Sequence, residues 1–194
     1  NKRLISNAGY YSNKNNKLNK LSRSTALHST LTIEDYSSCS FKKKQNNFII
    51  DKGLKVSKKN IVFEKNYWKI SGEHDGYFTK FGITYEREIE FYPEQMKFIG
   101  YDTLIRKIPN KEIKFDIRFH LEPDSKVMKT QDNKSILIEI EDEGWKFSCE
   151  NFDINIDNGL YFGNKNLYKE NQNIFISGMN NEHKQIIKWE ISKL

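Results

Sequence analysis

The strongest constraint on the fold of this chain is the regular alternation of apolar and polar side chains along much of its length. In residues 112–121 every second side chain is large and apolar: Ile113, Phe115, Ile117, Phe119 and Leu121. The alternation is clearest in residues 83–92, where Arg87 lies on the otherwise apolar face. Because successive side chains of a β-strand point to opposite faces of a sheet, both segments are predicted to be strands with one buried face.

Further short segments of this kind follow one another from His28 onward, joined by turns rich in Gly, Asn and Asp. Helical spacing of apolar residues never extends beyond a turn or two, and there is neither a Gly-rich phosphate loop nor a βαβ pattern. The sequence therefore predicts an all-β fold, an antiparallel β-sandwich of many short strands in one domain spanning residues 1–194. The Asn- and Lys-rich segments 7–24 and 42–53 are predicted to be polar connections outside the core. The further predicted strands cover 60–64, 67–75, 95–106, 135–142, 144–150, 152–157, 159–164, 172–178 and 184–192.

The net charge of +6 suits an acidic partner such as nucleic acid, anionic lipid or an acidic glycan. The lysines are scattered, without the interleaved basic and aromatic stripe that is typical of nucleic-acid binders, so no nucleic-acid partner is predicted. Apolar runs are only a few residues long, which excludes insertion across a membrane. The two cysteines, Cys39 and Cys149, do not form a CxxC pair, and we expect both to be free thiols.

The chain begins with Asn1 and shows no basic region followed by an apolar stretch, so its start does not read as a signal peptide. The opening residues, KRLISNAG, read as a short strand and turn. One interpretation is a tag or cleavage remnant. The favoured interpretation is a fragment whose upstream part is missing.

None of the four histidines is spaced from another as in a local metal-binding motif. His28 lies where the long polar segment meets a predicted strand, and alternation turns it away from Leu31 and Ile33. An imidazole at such a junction can act as an acid, a base or a metal ligand. The alternative is a surface histidine that hydrogen-bonds to nearby Ser or Thr. His74 shares a face with Trp68, and this position favours the interpretation that it is a core histidine.

Three other charged or titratable side chains are candidates. Arg118 and His120 are two residues apart on the polar face of one strand, where together they could bind a carboxylate or a sulfate. The alternative is a solvated sheet face with a cross-strand acidic partner. Arg87 lies on a core-facing stripe, where a charge needs a partner, so an ion pair is favoured over catalysis.

Several phrases of the chain occur in an order that resembles the C-terminal heparinase II/III-like domain of bacterial, notably alphaproteobacterial, proteins. The most specific are RSTALHST, and HDGY followed by RFHLEP. The resemblance covers nearly the whole chain. The ordered set is RLISNAG, RSTALHSTLTIEDYSSCSF, EHDGYFTKFGITYEREIEF, GYDTL, FDIRFHLEP, GWKFSCE and IIKWEIS.

The resemblance implies a helical toroid, upstream in the same chain, that packs on a large antiparallel β domain, with the active cleft between them. It also implies β-elimination at a uronic acid within an acidic polysaccharide, and a location in the bacterial cell envelope or periplasm. Such a reaction needs a group that neutralises the uronate carboxylate, a base for the C5 proton and an acid for the departing oxygen.

Carried over by position, His28 matches a histidine that is a metal ligand in zinc-bearing members, so zinc is possible in the full-length protein. Arg23 becomes a possible clamp for a carboxylate or sulfate, and Arg118 and His120 possible substrate contacts. Asn7 stands where zinc-bearing members have an aspartate ligand, and a neutral amide is a poorer ligand for a divalent cation. Two further departures replace histidines of the family by Tyr85 and Glu122.

The first hypothesis is therefore the C-terminal domain of a polysaccharide lyase that cleaves uronate-containing acidic glycans, and the isolated fragment is expected to be inactive. The second is a non-catalytic carbohydrate-binding or scaffold β-sandwich. A third, nucleic-acid binding, would require Lys and Arg clustered on one surface.

Overall fold

The structure, a computed structural model, describes residues 3–13, 17–45, 47–107, 111–164 and 167–194. Nearly all regular structure in these ranges is β-strand, which confirms the predicted all-β fold. The helical elements are short: α1 (Lys17–Ser22), α2 (Phe78–Phe81) and 3-10 turns at Thr25–Leu27 and Pro93–Gln95. None of the helices in these ranges is long and apolar enough to span a membrane. The strands are β1 (Ile5–Ser6), β2 (Leu31–Ile33), β3 (Ser40–Lys44), β4 (Asn47–Lys52), β5 (Val56–Phe63), β6 (Trp68–Tyr77), β7 (Ile83–Tyr92), β8 (Lys97–Arg106), β9 (Ile113–Leu121), β10 (Lys126–Lys129), β11 (Ser135–Ile140), β12 (Glu143–Ser148), β13 (Ile154–Asn164), β14 (Leu167–Asn180) and β15 (Lys184–Lys193).

Two antiparallel sheets form the sandwich. The larger has eight strands in the order β10-β11-β12-β15-β8-β7-β6-β5, so that β15 returns to lie between β12 and β8. The smaller has the order β1-β9-β14-β13, and β2 pairs with β9 beside β1. A separate hairpin is formed by β3 and β4. The short strands β1 and β2 thus both pair with the same edge of β9, which brings them close together although a long segment separates them in the chain.

The core lies between the two sheets, and the alternating face of β9 is its centre. All five apolar side chains of β9 are at most 4% exposed, as the sequence predicts. Phe119 contacts Phe147 and Trp189 of the larger sheet, with ring centroids 4.8 Å away in each case. Burial of these aromatic surfaces is the main force that holds the sheets together.

The smaller sheet does not cover the β5 end of the larger sheet. On β5, Ile61 and Phe63 are 73% and 74% exposed, and the residues in register with them on β6, Ile70 and Trp68, are exposed as well. A row of four aromatic rings crosses this end of the sheet, with neighbouring centroids 4.9, 5.1 and 4.3 Å apart. The rings belong to Phe63, Trp68, Phe91 and Phe98.

The prediction that residues 42–53 form a connection is wrong for the part that the structure describes. They lie mostly in the β3–β4 hairpin, while residue 46 lies outside the described residues. Lysines dominate the sequence of β3 because this ribbon is exposed and packs on no second sheet. Because β3 is mostly lysine and the apolar residues of β4 are consecutive, Phe48, Ile49 and Ile50, neither strand shows alternation with a period of two. Lys42 still pairs with Asp51 across the hairpin at 2.7 Å.

Residues 7–24 were expected to lie outside the core, and this is also wrong for several described residues. Ala8 and Tyr11 are buried against Phe162, and the rings of Tyr11 and Phe162 meet edge to face at 5.7 Å. The amide of Asn19, itself buried, donates to the backbone oxygen of Tyr11 at 2.6 Å. Polar residues are tolerated here because they satisfy backbone groups. Residues 14–16 lie outside the described residues.

The predicted pair of strands 152–157 and 159–164 is one strand, β13, that runs through Asn158-Gly159. The Asn-Gly pair suggested a turn, but the glycine is required for packing instead. A Cβ at Gly159 would stand 2.8 Å from the side-chain oxygen of Asn171 on the neighbouring β14. Glycine inside a strand often marks such a close approach.

Candidate functional site

His28 lies between the 3-10 turn Thr25–Leu27 and β2, where its backbone is held on both sides. Its N–H donates to the oxygen of Thr25 at 3.0 Å, and its own oxygen accepts from Thr30 at 2.9 Å. The side chain is half-buried, and this burial lowers the pKa of the imidazole below its usual value. At neutral pH the ring is therefore neutral and can accept a proton.

His28 and Arg23 line the same cavity of about 350 Å³. The Arg23 guanidinium donates to the backbone oxygen of Phe48 at 2.7 Å and lies 4.5 Å from the ring centroid of Phe41. These contacts hold the cation at one wall of the cavity. A guanidinium has five N–H donors, which suits it to binding a carboxylate or a sulfate. The other lining residues are Gly9, Tyr10, Ser22, Thr25, Thr30, Ser38, Cys39, Phe41 and Ile50.

Ser29, the residue after His28, joins three strands through all of its polar groups. Its N–H donates to the side-chain oxygen of Asn7 at 3.0 Å, and its hydroxyl donates to the backbone oxygen of Ser6. The same hydroxyl accepts the backbone N–H of His120 at 2.9 Å, and the Ser29 carbonyl accepts from Arg87. The segment that carries His28 is thereby tied to β1, β7 and β9.

Arg87 is held in turn by Asp102, which is fully buried on the neighbouring strand β8. Arg87 donates to both carboxylate oxygens, at 2.6 and 3.0 Å. Tyr85 donates to one oxygen of the same carboxylate, and Trp189 donates to the other at 2.7 Å. The expected ion pair of Arg87 is confirmed. Sequence reasoning missed its partner Asp102. Residue spacing does not tell which strand lies beside β7, or in which register.

His120 is buried rather than solvent-facing, since residues 26–29 cover it. Its Nε2 lies 2.9 Å from the backbone oxygen of Ala26, so we assign the ring proton to Nε2. Burial, opposed by this hydrogen bond, lowers the pKa of His120 to about 4. Its Nδ1 is buried without a hydrogen-bond partner among the described residues. The face that holds Arg118 and His120 is therefore not uniformly solvated.

Arg118 lies on the outer face of the smaller sheet, outside the cavity of His28. Its guanidinium donates to the amide oxygen of Asn173 at 3.0 Å. The carboxylates of Asp116 and Asp157 lie 3.7 and 3.8 Å away. Asp157, on β13, is an acidic partner from another strand of the kind that the alternative interpretation of Arg118 anticipated, whereas Asp116 lies on β9 itself. The structure thus brings His28 and Arg23 together and places Arg118 elsewhere.

His74 and the two residues that replace histidines of the family, Tyr85 and Glu122, do not line the cavity of His28. His74 is half-buried between the rings of Tyr77 and Tyr85, at 5.8 and 5.2 Å, as expected of a core histidine. Burial is the main cause that lowers its pKa. The hydroxyl of Tyr85 is bound to Asp102, and Glu122 is half-buried at the end of β9. Both cysteines are free, as predicted.

The donor set in the described chain does not fit a zinc ion. Within residues 3–13, 17–45, 47–107, 111–164 and 167–194 there is no group of three or more His, Cys, Asp or Glu that could hold a metal. The side-chain oxygen of Asn7 already accepts from Ser29. Zinc in a full-length protein stays a prediction that depends on ligands from elsewhere.

Solved structures of glycan lyases share this fold. A crystal structure of the heparan sulfate lyase HepC from Pedobacter heparinus superimposes with a TM-score of 0.77 at 14% identity, and the match covers 98% of this chain and 28% of HepC. A structure of a heparinase III gene product gives a TM-score of 0.73 at 12% identity, with the same coverages. At these identities the likeness shows the fold alone.

A curated relative is FtsZ-localized protein C of Caulobacter vibrioides, which is 26% identical over 155 residues. That match covers 75% of this chain and 27% of the relative. The chain thus spans little more than a quarter of the length of the proteins it matches. The family described as "Heparinase II/III-like, C-terminal" matches residues 1–190. With that match over nearly its whole length, the chain belongs to the heparinase II/III-like C-terminal family.

Proposed function

We propose that this chain is the β-sandwich part of a polysaccharide lyase that cleaves uronate-containing acidic glycans by β-elimination. The observation that carries the proposal is the shared cavity of His28 and Arg23. His28 can transfer a proton, Arg23 can bind an anion, and both side chains line the same cavity. A catalytic site of this kind needs these two functions side by side.

In the proposed reaction, the Arg23 guanidinium pairs with the uronate carboxylate and stabilises negative charge as it develops. The His28 imidazole accepts the proton from C5 of the uronate. The electron pair of the broken C5–H bond forms the C4=C5 double bond, and the C4–O bond to the neighbouring sugar breaks. A second group protonates the departing oxygen, and we propose that it comes from the remainder of a longer protein.

The charge of the chain and the size of its relatives support this proposal. A net charge of +6 favours association with a polyanionic substrate. Because the chain matches only 28% of HepC, an upstream helical domain is the proposed source of the opposite wall of the cleft. A location in the bacterial cell envelope, where such glycans are met, is part of the same proposal.

The second candidate is a non-catalytic scaffold or carbohydrate-binding sandwich. The relative from Caulobacter vibrioides favours it, because its name describes where that protein localises rather than a reaction. The residues that depart from the family pattern also favour it. Asn7 and Tyr85 are both engaged in hydrogen bonds within the fold, to Ser29 and Asp102.

A direct assay separates the two candidates. The complete gene product that carries this chain is incubated with heparan sulfate, other glucuronate and iduronate polymers, and alginate, while the ultraviolet absorbance of unsaturated uronate products is followed. The lyase proposal expects absorbance to rise with at least one polymer. If a folded protein gives no product with any polymer but retards one in affinity electrophoresis, the binding role replaces the lyase role.

A further inference from the structure

The polar groups of Ser29 and Asp102 form one continuous chain of contacts from the inside of the larger sheet to the segment that carries His28. Asp102 is fully buried and receives four hydrogen bonds, two from Arg87, one from Tyr85 and one from Trp189. The remaining hydrogen bond of Arg87 goes to the carbonyl of Ser29.

We propose that Arg87, held in place by Asp102, is a positioning residue that fixes the Ser29 carbonyl and thereby the orientation of the His28 side chain in its cavity. The proposal rests on the proposed function of His28, but the contacts that carry it lie entirely within the fold. Arg87 itself lines a different cavity, bounded also by Asn7, Phe119 and Trp189. It acts on the site through the backbone of residue 29.

The arrangement requires an arginine. The guanidinium uses its Nε and Nη2 on the carboxylate and its Nη1 on the carbonyl, so one rigid group spans two partners at once. A lysine carries a single ammonium group and cannot reproduce this fork. The ring centroids of Phe119 and Trp189 lie 5.5 and 5.9 Å from the guanidinium carbon, so the two rings cover part of a side chain that stays 17% exposed.

Arg87→Lys in this 194-residue chain tests the proposal by NMR. We expect the Ser29 amide, which donates to the side-chain oxygen of Asn7, to exchange with solvent at least about tenfold faster relative to the core amide of Ile117. The reason is that loss of the Arg87 hydrogen bond to the Ser29 carbonyl frees this segment to open locally. We also expect the ring C–H signals of His28 to shift or broaden. Neither readout requires lyase activity, so the result stands apart from the success or failure of the glycan assay.

Arg106→Lys is the matched control, because Arg106 is also buried and also donates to backbone oxygens, among them that of Asn180 at 3.2 Å. It is expected to change stability without changing the His28 signals. Unchanged Ser29 exchange in Arg87→Lys, or the same His28 changes in both variants, overturns the proposal.

If Arg87→Lys does not fold, the exchange rate of the Arg87 guanidinium protons in the wild-type protein tests the proposal instead. Slow exchange of the Arg87 Nη1–H protons, which donate to Ser29 and not to Asp102, supports the contact with Ser29. Exchange as fast as that of the exposed Arg3 refutes it.

Discussion

The indole ring of Trp189 occupies the space in which a side chain of residue 100 would stand. Trp189 sits opposite Gly100 on the paired strand, and a Cβ at Gly100 would lie 2.0 Å from Cζ2 of its ring. The absence of a side chain lets the indole reach Asp102, to which its Nε1 donates at 2.7 Å. Gly100 is therefore required by packing rather than by backbone conformation.

Gly100→Ala is expected to lower the free energy of unfolding by about 1–3 kcal/mol, because the methyl group displaces the Trp189 ring from a close-packed core. Urea denaturation followed by tryptophan fluorescence measures the change. Gly72→Ala is the control, since a Cβ there would meet no atom closer than 3.9 Å. If the two substitutions cost the same, the close approach of Trp189 to Gly100 is not what stabilises this region.

Asp102→Ala is expected to cost roughly 3–5 kcal/mol, because the buried Arg87 charge and two further donors lose their acceptor. Asp102→Asn keeps one acceptor oxygen but not the charge, so an intermediate loss is expected. Chemical denaturation of both variants provides the measurement. A loss below about 1 kcal/mol for the alanine variant would contradict the four-donor network around Asp102.

His120 is expected to make stability fall with acidity over a defined pH range. Its pKa is about 4 in the folded protein and near 6.5 in the unfolded chain, so between pH 6.5 and 4 the unfolded state binds this proton more strongly than the folded state. Its contribution is complete above pH 6.5 and is lost as the pH falls towards 4, by roughly 3 kcal/mol.

The measurement is the free energy of unfolding against pH for the wild type and His120→Gln. The glutamine can still donate to the Ala26 oxygen but does not titrate, so the difference between the two proteins isolates the histidine. The stability advantage of the wild type over the variant should shrink between pH 6.5 and 4. Parallel curves over that range would show that His120 is not buried as a neutral ring.

The sequence allowed the strands of the sandwich to be predicted wherever one face is buried, as in β9. It failed where apolar and polar residues do not alternate, as in the β3–β4 hairpin, and where a glycine serves packing, as at Gly159. The ion pair of Arg87 could be expected because a charge stood on an apolar stripe. Its partner Asp102 and the bridging role of Ser29 could not, because both depend on strand order and register between distant parts of the chain.

The most direct test of the central claim compares two histidine substitutions in the complete gene product. His28→Ala removes the proposed base from its cavity, whereas His183→Ala removes an exposed histidine near Arg106. The measured quantity is the initial rate of unsaturated uronate formation, with circular dichroism as the check on folding. The account predicts that His28→Ala is folded and at least about 100-fold slower, while His183→Ala keeps the wild-type rate. A folded His28→Ala protein with the wild-type rate would contradict it.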